Sequence, residues 1–485
     1  MSNSVLVAAA QLNIFNTNAL NFQVIKKLKE LGVDIRIFIP MDRKTQRICI
    51  QEFIAIDDIA LNIGDIEIEA EIKESEYEGI KIYALDMPEY FDMDNIYDQT
   101  NEAEKFSCFC RGILKALPII NFKPEIIQCE DWPTAFIPFI LKEKYKDITF
   151  YDEIKTIFTF NNIGNQGIFD IDTCRYLDIT REELVSKGLD YYEQINFMKA
   201  GLLYADKITT VSTNYVKDIS SQMFGNTLEN IINMRQEDIC GILTGIDNDS
   251  NNPQTDQRIY VNYSIDSIEG KLQNKKLLQK KLGFEINDDI PLIFFNSNLS
   301  CEKGIDLIQY SLPDIMKDNV QMIIMSNKTR CEEFQEEILE EFLQRATERY
   351  SDKFLYIPFD ESMLYKCFAG ADIFLMPSAI EPCGFGQLVA MRYGAVPLVK
   401  EVGGFIDTVK FFENDMKNAT GFSFKYSNEK VLLYTIRRAI EVYKNKDVWI
   451  NIQKNCMSQD FQIDKYIKEY IQLYSALVKE RYCIC

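Results

Sequence analysis

The chain has 485 residues, more than one compact domain usually holds and enough for two of ordinary size. Its 47% hydrophobic and 26% charged residues are the mix of a soluble globular protein, and no apolar run of about 18 residues predicts a membrane span. A net charge of −21 argues against nucleic acid or an anionic membrane surface as partner, and the complete lack of histidine excludes Ser-His-Asp, Cys-His and His-metal chemistry.

In chain order, the start carries no basic secretory signal, and Ser4 to Ala10 is a continuous apolar run suited to a buried parallel strand. Val24, Ile25, Leu28 and Leu31 then follow a helical period that stops at Gly32, and Val33 to Ile39 predicts a second strand. Strand, helix and strand at this spacing make a βαβ unit. The stretch from about Ile48 to Leu85, with alternating Ile66 to Ile72, predicts a small hairpin insertion. Further strands are expected at Pro124–Gln128, Lys155–Thr159 and Asp206–Ser212, the last ending at a helix cap.

The segment Asp247–Asn262 is rich in Asn, Asp and Gln, lacks a hydrophobic period, and is read as an interdomain linker. A charged helix, Lys271–Leu282, leads into renewed βα alternation. Its strands are Pro291–Phe295, Val320–Met325, Phe354–Ile357, Ile373–Met376 and Val396–Val399, with a helix over Cys331–Tyr350 and a helical tail from Val431 to Lys479. Two doubly wound α/β domains are therefore expected: residues 1–250, residues 251–458, and a final helix over 459–485 returning to the first domain. Ligands in such sheets bind beyond the carboxyl ends of the strands, and two facing domains would enclose a deep cleft.

The thirteen cysteines are odd in number and scattered. The close pairs Cys108/Cys110 and Cys483/Cys485 have a spacing unlike a zinc ribbon, so reduced thiols in the cytoplasm are expected, without a metal. The sharpest motif runs from Met376 through Glu381-Pro382-Cys383-Gly384 to Gly386 and Gln387, then Arg392-Tyr393-Gly394. It follows a strand and opens a helix, which places Glu381 where a carboxylate meets a ligand and lets backbone N–H groups face an anion. Gly403-Gly404 before Asp407-Thr408-Val409 repeats the device.

These segments resemble the Glu-Pro-Cys-Gly, Arg-Tyr-Gly and Gly-Gly-x-x-Asp-Thr-Val signatures of bacterial glycogen and starch synthases. Asp131-Trp132, Thr159 to Gly167, Gly241 to Asp247, Asn274-Lys275 and Lys303-Gly304-Ile305-Asp306 are similar to further stretches of that family. The resemblance implies a GT-B fold and a retaining glucosyltransferase. Its donor would be ADP-glucose or UDP-glucose and its acceptor an α-1,4-glucan, with no metal and no other cofactor.

Carried over by position, Glu381 would bind the glucose or face positive charge on it, Lys303 would pair with the diphosphate, and Asp131 would orient sugar hydroxyls. Asn298, Cys383, Gly384, Gly403 and Gly404 fall in the donor site. Asn161 stands where the family has its catalytic His, Asn298 where it has an Arg, and Thr244 where it has an Asn. The family's Lys-Thr-Gly-Gly loop is replaced around Asn13–Leu20, and a Gly-x-Gly turn by Ser326-Asn327-Lys328.

Simpler roles remain for each residue. Glu381 and Asp131 can cap the helices that follow them, Lys303 can be a surface lysine, Gly403-Gly404 a tight turn, Cys383 a buried filler and Trp132 core. A catalytically silent relative that binds glucan or nucleotide-sugar, or a transferase for another sugar, also fits these departures.

Overall fold

The computed structural model describes residues 3–11, 22–48, 52–64, 66–97, 101–326 and 333–480. Asn13–Leu20, Asn327, Lys328, Cys483 and Cys485 lie outside them. The chain divides into two compact units: Met1–Thr244 with Ile463–Cys485, and Gly245–Gln462. The divisions fall after 244 and 462 rather than after 250 and 458.

The first unit is built on a nine-stranded sheet. The strand Ser4–Ala8, buried from Val5 on, pairs in parallel with Asp34–Pro40 on one side and Ile126–Glu130 on the other. Beyond Ile126–Glu130 follow Lys155–Thr159, Lys207–Thr210 and Ile239–Gly241, all parallel. On the opposite flank Ile80–Asp86 pairs in parallel with Asp34–Pro40, and the antiparallel strands Ile66–Tyr77 and Ile54–Ile63 extend the sheet. The expected hairpin insertion thus becomes the outer edge of the main sheet. The chain leaves the centre in one direction and returns in the other, so the strand order reverses between Ser4–Ala8 and Ile126–Glu130.

The second unit repeats this plan with six parallel strands. Leu292–Asn296 pairs with Gln321–Ser326 and, on its other side, with Ile373–Met376. Phe354–Pro358 lies outside the first of these, and Val396–Lys400 and Phe422–Phe424 outside the second. The reversal here falls between Leu292–Asn296 and Ile373–Met376.

The central parallel strands, such as Ile126–Glu130 and Gln321–Ser326, are buried on both faces, as parallel sheets require. The charged helix spans Glu269–Leu282 and ends at Gly283 in the left-handed region. Ser212 caps the helix Thr213–Ile219 by accepting from Tyr215 N at 3.0 Å. The tail forms three helices, Glu429–Tyr443, Lys446–Met457 and Ile463–Glu480. The last packs on the helix Phe22–Glu30, where its Ile467, Tyr470 and Tyr474 join the core of the first unit. The Asn-rich stretch after 247 is not a loose tether. Asp256 accepts from Arg258 Nε at 2.7 Å and from the Tyr393 hydroxyl at 2.5 Å, and Asn262 donates to the carbonyls of Pro253 and Asp256.

Candidate active site

The second unit gathers its site residues on loops that leave the two strands flanking its reversal point. Leu292–Asn296 leads through half-buried Asn298 to a short 3-10 turn, Cys301–Lys303. Ile373–Met376 leads to Ser378 and Glu381. Lys303 Nζ donates to Glu381 Oε2 at 2.7 Å, and the Ser378 hydroxyl donates to the same oxygen at 3.1 Å. Glu381 is 8% exposed and Lys303 is half-buried, so the pair is shielded but reachable. The helix after Glu381 starts at Gly386 with Phe385 as its cap residue, so Glu381 does not cap it. The loops are also laced by backbone, with Ala379 N donating to Glu302 O at 2.7 Å.

The glycines of this wall are demanded by close approach. A Cβ on Gly304, at φ +74°, would sit 2.3 Å from the Pro377 carbonyl oxygen. One on Gly404 would sit 2.0 Å from the Cys383 carbonyl oxygen. The Gly404 N–H, expected to face a phosphate or sugar, instead points to the Glu381 and Pro382 carbonyls at 3.2 and 3.1 Å. The visible task of Gly403 and Gly404 is therefore to let the helix Gly403–Thr408 seat against the backbone of Glu381–Cys383. Cys383 is 7% exposed, and its carbonyl and that of Gly384 accept from Gln387 Nε2 at 3.1 and 2.8 Å.

The first unit carries its own cluster at its reversal point. Asp131 follows Ile126–Glu130 with φ +57° and ψ 179°, a region that costs a non-glycine residue about 1–3 kcal/mol. Its environment holds it there. Asp131 N donates to Thr159 O at 2.7 Å, and Thr134 N donates to Asp131 O at 3.2 Å. The carboxylate does not cap the turn that follows; it accepts from Asn161 N at 3.0 Å and from Asn161 Nδ2 at 3.0 Å. Burial raises the Asp131 pKa, and the two Asn161 bonds oppose the rise. The preceding carboxyl, Glu130, is pushed well above the usual range by burial first and by Asp131 second. Trp132 is core, 8% exposed with its ring 4.9 Å from Phe106 and 5.5 Å from Phe169.

Three polar residues of these clusters escape sequence reasoning. Ser378 shares Glu381. Lys400, 5% exposed at the end of its strand, donates from Nζ to Ala379 O at 3.0 Å. Gln128 lies under the Asp131 turn. Each is a single polar residue in or beside an apolar run, where the only signal is its failure to match the run.

Comparison with known proteins matches the same halves. Residues 23–234 match the family described as starch synthase catalytic domain, and residues 279–455 match glycosyl transferases group 1. The chain is 39% identical over 455 residues to glycogen synthase of Anoxybacillus flavithermus, covering 93% of each chain. It is 35% identical over 460 residues to glycogen synthase of Bacillus cereus, covering 94% of each. Among solved structures it is similar to the catalytic domain of starch synthase IV from Arabidopsis thaliana bound to ADP and acarbose, with a TM-score of 0.87, 25% identity and 99% of both chains covered. The fold is GT-B.

Proposed function

The chain belongs to the glycogen synthase and starch synthase family of glucosyltransferases, and from that premise we propose that it moves glucose from ADP-glucose, with UDP-glucose as the other donor to test, onto an α-1,4-glucan with retention of configuration. The observation that carries this reading is the Lys303–Glu381–Ser378 cluster at the strand-order reversal of the second unit. The ADP bound to the related starch synthase IV supports the adenine nucleotide.

The C1–phosphate bond of the donor breaks with its electron pair going to the diphosphate. The acceptor hydroxyl forms the new bond on the same face and passes its proton to the departing phosphate oxygen. No enzymic base is needed, which suits a chain without histidine. Lys303 exchanges Glu381 for the diphosphate when the donor arrives, and Glu381 then faces the positive charge that grows on the sugar. Asn298 and the backbone around Gly384 line the donor site. Asp131, held by Asn161, orients sugar hydroxyls. Asn161 takes part of the role of the family's histidine through its backbone carbonyl, at a lower rate. A catalytically silent relative would not need this buried cluster. The buried thiols Cys108, Cys110, Cys129, Cys174, Cys367 and Cys456 suit a reducing cytoplasm, and the charge of −21 leaves nucleic acid out.

Steady-state transfer from each donor to glycogen tests the proposal. Lys303→Ala is expected to raise the donor KM by about tenfold or more, the effect of losing one charge-assisted hydrogen bond. Glu381→Ala is expected to lower kcat by about a thousandfold. Absence of transfer from both donors, with no thermal stabilisation by ADP, would sink it.

A further inference from the structure

Beneath the Asp131 turn lies a row of buried polar side chains that the transfer chemistry leaves unused. Gln128, Thr159, Thr209 and Tyr474 are each 0% exposed. Polar groups at the centre of a parallel sheet are tolerated only when paired, and these are paired to one another. Glu130 lies opposite Thr159, and Thr159 opposite Thr209, across three adjacent strands. Gln128 shares the face of Glu130, two residues earlier in the same strand.

The donors and acceptors fix the direction of the bonds at Gln128. The Gln128 amide oxygen can only accept, so the Tyr474 hydroxyl donates to it, at 2.5 Å. Gln128 Nε2 gives its two hydrogens to Glu130 Oε1 and Thr159 Oγ1, both at 3.0 Å. Thr159 Oγ1 also lies 2.7 Å from Thr209 Oγ1, a hydroxyl pair in which either oxygen can donate. Such chains strengthen each member by polarisation. Burial and the neighbouring Glu130 raise the Tyr474 phenol, so the first donor of the chain stays protonated.

The relay ends where the site begins. Residues 130 and 159 are the last of their strands, and the chain continues from them directly to Asp131 and, two residues on, Asn161. The same Thr159 supplies the carbonyl that holds Asp131 N at 2.7 Å.

We propose that Tyr474 and Gln128 are positioning residues for glucosyl transfer: through Glu130 and Thr159 they set the strand ends that aim Asp131 and Asn161, which makes the C-terminal helix Ile463–Glu480 part of the active-site scaffold. Neither residue touches substrate. The inference rests on the reading of Asp131 as the residue that orients the sugar.

The test is transfer kinetics of the full chain with Tyr474→Phe, Thr209→Val, Asp131→Ala and Ile467→Val. Ile467 is 0% exposed on the same helix and outside the relay, so Ile467→Val measures simple destabilisation. Tyr474→Phe and, should that variant not fold, Thr209→Val are expected to lower kcat at saturating substrates by about tenfold while leaving the donor KM within about twofold. Ile467→Val is expected to lower Tm and leave kcat unchanged. An Asp131→Ala variant that transfers at the wild-type rate overturns the role of Asp131 and this inference with it. An inactive Asp131→Ala beside Tyr474→Phe and Thr209→Val at wild-type kcat, or an equal kcat loss in Ile467→Val, overturns the inference alone.

Discussion

Glu130 and Asp131 are neighbours in the chain with different partners, and burial raises the pKa of both. Glu130 is 8% exposed, and its folded pKa is raised by burial. The unfolded carboxyl loses its proton near pH 4.3, whereas the folded one keeps it to higher pH. The folded state then binds more protons than the unfolded state, so stability falls as pH rises from the unfolded value towards the folded one. Glu130→Gln removes that dependence. Its Tm should match the wild type near pH 4.5 and exceed it by a growing margin as pH rises above that; parallel curves would contradict the assignment. At this scale the sequence exposed Glu381 and Asp131, because both follow strands and sit in recognisable motifs. It hid Gln128, Ser378 and Lys400, because one polar residue beside an apolar run carries no period and its partner is unknown until the strands are placed. It also suggested a ligand role for the Gly404 N–H that the Glu381 and Pro382 carbonyls already fill.

Among the elements, the short helix Gly403–Thr408 depends on contact with the backbone of Glu381–Cys383. Gly404→Ala places a methyl group 2.0 Å from a carbonyl that has no side-chain freedom to retreat. An overpacking penalty of about 1–3 kcal/mol is expected, read as a lower Tm, together with loss of transfer because the same backbone carries Glu381. The C-terminal helix Ile463–Glu480 buries Ile467, Tyr470, Tyr474 and Leu477 in the core of the first unit. Deleting 463–485 should leave that unit unable to fold, seen as insoluble protein or a lost thermal transition, and a soluble truncation with an unchanged Tm would refute this. The central parallel strands were legible as apolar runs because both of their faces are covered, and the outer antiparallel pair by its alternation. The segment after Asp247 was not, since it is held by bonds among Asp256, Arg258, Asn262 and Tyr393 that leave no hydrophobic period.

Across the whole molecule, the two units use one device twice. In each, the central strand and its returning neighbour mark the reversal of strand order, and the candidate residues follow them: Asp131 in one unit, Lys303 and Glu381 in the other. That repetition was foreseeable from two runs of βα alternation, and the lack of histidine already excluded histidine-based chemistry. The central claim is that the Glu381 cluster serves a working α-glucan glucosyltransferase. The most direct measurement is incorporation of labelled glucose from ADP-glucose into glycogen by the wild-type chain and by Glu381→Ala, followed by digestion with an α-1,4-specific hydrolase. The account predicts label released by the hydrolase from the wild-type product and a near-complete loss with Glu381→Ala. Equal incorporation by the two proteins, or none by the wild type from ADP-glucose or UDP-glucose, would contradict it.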